Sequence, residues 1–149
     1  MFNYKHKQTQ MLKVKLHSPN ARAPTQGTKG SAGYDLYSPI DCIIPARSRL
    51  LIQTDISVRI PEGHYGQVAS RSSLSLRNGL EVGAGVIDES YTGILGIILH
   101  NFTDVDYSVK MGDRIGQLIL IRISVPDVEI VEDLGSTDRG EGGFGSTGK

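Results

Sequence analysis

The chain has 149 residues, 38% of them hydrophobic, so it is long enough for one domain to bury its own core without cross-links. Sixteen basic residues offset sixteen acidic ones, which excludes an overall field drawing the protein to nucleic acid or to an anionic membrane. A single cysteine, Cys42, excludes an internal disulfide, and no apolar run approaches the ~20 residues of a membrane span.

The first ten residues are polar and read as loose. The opening MFNYKHKQTQMLKVKL lacks the apolar stretch of ~7–15 residues that a secretory signal needs, so an intracellular placement, cytoplasmic or nuclear, is expected. From Lys13 to Leu16 charged and apolar residues alternate, the period of a strand. LLIQTDISVRI (50–60) is rich in β-branched residues, and HYGQVA (64–69), ILGIILHN (94–101), RIGQLILIRI (114–123) and VEIV (128–131) are further strand candidates. Turn signals stand between them, at Ser38-Pro39, Pro45, Pro61-Glu62-Gly63, Asn78-Gly79 and Met111-Gly112-Asp113. Only SSLSLRN (72–78) reads as a helix, with a serine to cap its start and Gly79 just past its end. Many short strands with close-set turns predict a single all-β domain, a sandwich or barrel with one short helix.

Residues 135–149, GSTDRGEGGFGSTGK, contain six glycines and almost nothing apolar except Phe144. Such a segment cannot fold on its own apolar content and is expected to be mobile until a ligand or partner orders it. Its glycines let backbone approach an anion, Arg139 offers a fork suited to phosphate, and Phe144 can stack on a base. Composition alone favours a plain flexible terminus, and the spacing does not match the phosphate loop Gly-x4-Gly-Lys-Ser/Thr.

Three further stretches carry donors or carboxylates. In SRSSLS (70–75), Arg71, Ser72 and Ser73 stand at a helix start, where an anion or a simple cap would both suit. Asp35 in AGYDLYS reads as a turn aspartate unless it supports a site. In GDRIGQL (112–118), Asp113 and Arg114 suit a mutual ion pair, while Gln117 interrupts an apolar run without local reason. GAGVIDESYTG (83–93) starts as an apolar strand, read as buried, and runs into Asp88 and Tyr91. The four histidines, His6, His17, His64 and His100, are scattered, with no spacing that makes a metal site.

AGYDLYS, SRSSLS, VGAGVIDESYTG, GDRIGQL and RGEGGFGSTG, in that order, resemble the five motifs of the trimeric dUTP pyrophosphatases, or dUTPases, over about residues 12–149. The resemblance implies a jelly-roll-like β fold in a homotrimer, with active sites between subunits and the glycine-rich tail of one closing over a site built by others. It implies hydrolysis of dUTP to dUMP and pyrophosphate, which keeps uracil out of DNA and supplies dUMP. Mg²⁺ is implied as a cofactor carried on the triphosphate oxygens and not held directly by protein ligands.

By the same resemblance Asp88 is the base that activates water for in-line attack on the α-phosphorus, a contribution of ~10²–10⁴-fold. Gly85, Val86, Ile87, Gly96 and Ile98 form a backbone-lined slot for uracil with no room for thymine's methyl group. Tyr91 lies against the deoxyribose and excludes a 2′-hydroxyl, and Phe144 covers the base. Ser70, Arg71, Ser72 and Gln117 take phosphate oxygens, joined by Arg139, Gly145, Ser146 and Thr147 from the tail. Asp35 and Arg114 are supporting residues. Ser70 stands where relatives often carry proline, Thr92 where many carry a basic residue, and Leu95 where a polar one is common, so a surface charge is expected to be missing there. The related dCTP deaminases use a glutamate where Ile98 aligns, and isoleucine cannot accept a proton. A non-catalytic dUTP-binding or signalling protein of this fold is the other alternative, although Asp88, Arg139 and Phe144 are all retained.

Overall fold

The computed structural model describes residues 11–143, and the expectations for residues 1–10 and for Phe144, Gly145, Ser146 and Thr147 lie outside them. Eleven strands and one helix follow in chain order among the described residues. They are β1 (Lys13–Leu16), β2 (Gly33–Tyr37), β3 (Cys42–Ile44), β4 (Arg49–Gln53), β5 (Ile56–Arg59), β6 (His64–Ala69), α1 (Ser72–Asn78), β7 (Leu80–Gly83), β8 (Val86–Ile87), β9 (Gly96–Asn101), β10 (Tyr107–Val109) and β11 (Arg114–Arg122). The fold is all-β with one short helix, as the periodicity predicts.

Two sheets carry the core. One has the order β2-β11-β6-β8 and the other β4-β9-β7, while β1 pairs with β5 and β10 with β3. Every named pairing is antiparallel, so side chains alternate between an inner and an outer face. Leu36, Val68, Ile115 and Leu118 point inward from the first sheet, and Ile52, Leu80, Ile97 and Leu99 from the second. Burying each such side chain stabilises the fold by roughly 1.5–3 kcal/mol before the entropy of ordering it. The sheets approach closely at Gly116, where an added Cβ would stand 3.2 Å from Ile97 Cδ1.

Three expectations need correction. The run 50–60 is two strands, because Thr54 and Asp55 turn the chain and Asp55 adopts φ 56°. There the Thr54 amide and hydroxyl both donate to the Leu95 carbonyl, at 2.9 and 2.8 Å, and Leu95 donates its own amide to Ile56. Leu95 itself is fully buried, so it is a core position and not a surface one. VEIV (128–131) is not a strand: no described residue pairs with it, and Val128 and Ile130 are 95% and 96% exposed. An alternating pattern specifies a strand only where a partner satisfies its backbone.

The helix forms where expected and ends at Gly79 in the left-handed conformation, φ 60° and ψ 31°. Its start differs from expectation, since Arg71 occupies the N-cap position and makes no side-chain cap bond.

Candidate active site

Asp35 lies in β2 directly opposite Gln117 of β11, and Gln117 in turn lies opposite Ala69, the last residue of β6. This register carries Arg71, two residues beyond β6, back over the sheet toward Asp35. Arg71 Nε donates to Asp35 Oδ1 at 3.2 Å and Arg114 Nη1 donates to Asp35 Oδ2 at 3.3 Å. The carboxylate is only 15% exposed, so the pair of bonds is shielded from full solvent screening. Asp35 is therefore a strand residue bridging two arginines, not a turn aspartate. Arg114 pairs with it instead of with Asp113, whose Oδ2 accepts from the Lys110 amide. Arg71 Nη1 also donates to the Arg114 carbonyl, which fixes the fork.

Gln117 has a local reason after all. Its Nε2 donates to the Ser70 carbonyl at 2.9 Å, and it has room because Gly33, which pairs with Ile119 two residues along β11, has no side chain: a Cβ there would stand 2.5 Å from Gln117 Oε1. The Ser70 hydroxyl is engaged within the chain. It donates to Glu81 Oε2 at 2.6 Å and accepts from the Val82 amide at 2.8 Å. Ser75 donates to Glu81 Oε1, and these two hydroxyls hold the Glu81 carboxyl below the usual carboxylate range. Ser72 opens the helix and is exposed.

The second group of residues lies where the chain leaves one sheet for the other. Between β7 and β8, Ala84 and Gly85 take φ values of 55° and 103° in succession. The Gly85 carbonyl accepts from the Val68 amide at 2.7 Å, and a methyl group on Gly85 would overlap the Val68 carbonyl and stand 2.7 Å from Gln67 Nε2. Only glycine fits that approach. The strand that follows is two residues long, and Val86 is 63% exposed, so the reading of Val86-Ile87 as a buried strand is corrected. Asp88 follows, exposed, at a turn closed by the Tyr91 amide donating to the Asp88 carbonyl at 3.1 Å. Glu89 ties this turn down by accepting from the Gly63 amide at 2.9 Å.

The Tyr91 hydroxyl donates to the Ile94 carbonyl, and the phenol end of its ring lies over Gly93, where a Cβ would come within 2.5–3.0 Å of it. Gly96 and Ile98 are neighbours on β9; Gly96 pairs with Gln53 and Ile98 with both Leu51 and Gly83. A side chain at Gly96 would press on Leu51 Cδ1 at 2.7 Å. Arg139 is exposed and donates to the Gly142 carbonyl within a turn that starts at Thr137.

These groups do not meet within one chain. Gly66 lies opposite Ile87 and Gln67 opposite Val86, so continuing the register puts Asp88 beside Tyr65. Tyr65 is at the start of β6 and Arg71 lies just past its end. Tyr65 and Ala69, the end of the strand, are four residues apart, about 13 Å, and Arg71 follows two residues later.

A profile of the dUTPase family matches residues 19–148. The chain belongs to the dUTPase family. It is 53% identical over 139 residues to the deoxyuridine 5′-triphosphate nucleotidohydrolase of Eremothecium gossypii, covering 92% of this chain and 90% of that one. It is 54% identical over 137 residues to that of Arabidopsis thaliana, covering 92% and 82%. Among solved structures, the dUTPase of Staphylococcus bacteriophage 80alpha with dUpNHpp superposes with a TM-score of 0.88 at 34% identity, over 95% of this chain and all of that one. The dUTPase of phage phi11 of S. aureus, whose structure coordinates a structural Mg(II) ion, gives 0.79 at 31% identity over 84% of this chain and 99% of that one.

Two contributors escaped sequence reasoning. Glu81 gave no signal beyond a charge inside an apolar strand, and Gly93 looked like one more turn glycine beside Tyr91.

Proposed function

We propose that the protein hydrolyses dUTP to dUMP and pyrophosphate at sites shared between subunits of a homotrimer. The observation that carries this reading is Asp88: an exposed carboxylate on a tethered turn, directly after a backbone slot in which Gly85 admits no side chain. Such a slot offers amides and carbonyls to the edge of a planar base, and the carboxylate beside it can take a proton from water attacking the adjacent α-phosphorus. Arg71, with its fork already aligned by Asp35 and the Arg114 carbonyl, meets the phosphates as charge shifts to the leaving group. Ser72 and Gln117 join it, and Arg139 with the tail residues closes the site. Tyr91 on Gly93 forms a flat wall for a sugar without a 2′-hydroxyl.

The assembly is supported by two features. One chain holds Asp88 and Arg71 toward opposite ends of β6, about 13 Å or more apart along the strand, which favours partners drawn from different subunits. The segment after β11 leaves Val125, Val128, Ile130 and Leu134 at least 82% exposed, an apolar series that gains by covering a neighbour.

For Mg²⁺, no three carboxylate, imidazole or thiolate groups converge among the described residues, and Asp35 is engaged by two arginines. The donor set suits an ion held by the triphosphate's own oxygens, where it would neutralise charge on the departing pyrophosphate. Ile98 gives no proton acceptor where a deaminase needs one.

Asp88→Asn tests the reading. It keeps the shape of the turn and removes the base, so turnover should fall by ~10²–10⁴-fold while dUTP still binds. Equal losses of rate and affinity would remove Asp88 from the role of base.

A further inference from the structure

The β6–α1 junction is where the chain must be held most firmly, because Arg71 and Ser72 project from it. Yet the helix start is poorly secured: Arg71 makes no side-chain cap bond and the first turn has no acidic residue. Support comes instead from the next strand. Gly79 turns the chain back, so β7 runs beside the helix and Glu81 reaches Ser70 just before it and Ser75 in its middle. Glu81 Oε2 accepts from Ser70 and Oε1 from Ser75, while the same Ser70 hydroxyl takes the Val82 amide. On the other side Gln117 holds the Ser70 carbonyl. Ser70 is thus gripped through both its hydroxyl and its carbonyl, one residue before Arg71.

We propose that Glu81 is a positioning residue for phosphate recognition: by bridging Ser70 and Ser75 it fixes the junction from which Arg71 and Ser72 reach the substrate. The inference rests on the proposed dUTP hydrolysis. Ser70 thus obtains its rigidity from a hydrogen-bonded carboxylate on the neighbouring strand. Glu81 touches no substrate; it acts through the residues it holds.

The test compares wild type with Glu81→Ala, Glu81→Gln and Ser75→Ala in pyrophosphate release from dUTP, and measures competitive inhibition by deoxyuridine, which has no phosphates. Glutamine keeps an acceptor for one serine and a donor for the other, so it should stay within about twofold of wild type. Alanine at 81 frees the junction, and a misplacement on the order of 1 Å at Arg71 should cut kcat/KM for dUTP about ten- to a hundredfold. Ser75→Ala removes one of the two bonds, keeps the fold, and should lose about threefold. Inhibition by deoxyuridine should be unchanged in all of them. Loss of deoxyuridine affinity in step with kcat/KM, or Ser75→Ala and Glu81→Ala both matching wild type, would overturn the proposal. So would Glu81→Gln being as impaired as Glu81→Ala. Failure of wild type to release pyrophosphate from dUTP would overturn the underlying reading instead.

Discussion

Two inactive variants should restore activity when their subunits are mixed. The register puts Asp88 beside Tyr65 near one end of β6 and Arg71 just past the other end, about 13 Å or more away, whereas a base and a phosphate ligand serving one phosphoryl group must lie within a few ångströms of it. Asp88→Asn trimers then lack the base in every site, and Arg71→Ala trimers lack the arginine in every site. If equal amounts are unfolded together and refolded, each site draws Asp88 from one subunit and Arg71 from another. Half of the subunits carry each intact residue, so about one site in four has both and the mixture recovers about a quarter of wild-type turnover. The assay is pyrophosphate release at saturating dUTP, with each variant refolded alone as the baseline. If both residues of a site came from one subunit, no mixed trimer would contain an intact site. Activity no higher than the baseline would therefore refute the shared-site geometry.

Gly85→Ala puts a side chain at φ 103° against the Val68 carbonyl and should cost about 2–4 kcal/mol in urea unfolding, with turnover lost in parallel; a cost below about 0.5 kcal/mol would mean the hairpin yields freely. Gly93→Ala meets only the end of the Tyr91 side chain, so stability should change little while Tyr91 swings away and UTP hydrolysis rises relative to dUTP; unchanged selectivity would remove Tyr91 from sugar discrimination. Glu81 has a lowered carboxyl pKa from its two serine bonds, so its contribution is present above the unfolded value of about 4.3 and is lost as the pH falls through the folded one. The melting temperature of wild type should exceed that of Glu81→Gln at neutral pH and converge with it in acid, and a constant gap would contradict this.

Elements whose signals are local were legible in the sequence. β6 and β11 read as strands from short apolar, β-branched stretches bounded by turn signals, and the helix end was marked by Gly79, which takes the left-handed turn without strain. The break inside 50–60 was not legible, since it depends on Leu95, some forty residues away, accepting two bonds from Thr54. Val128–Val131 misled for the opposite reason, because its pattern is that of a strand but the described chain holds no partner for it. The same division runs through the site. Asp88, Arg71 and Asp35 were found through motif resemblance, yet the partners of Asp35 are set by the β2–β11–β6 register and not by neighbours in sequence. Glu81 went unseen because its meaning depends on Ser70 and Ser75 folding back beside it.

The central claim is most directly tested by pyrophosphate release, with Mg²⁺ present, from dUTP, dTTP, UTP and dCTP in parallel. Rapid release from dUTP alone is the predicted result, on the proposal that the Gly85 slot excludes a 5-methyl group and Tyr91 a 2′-hydroxyl. Release from none of the four, or from dCTP in preference to dUTP, would contradict the account.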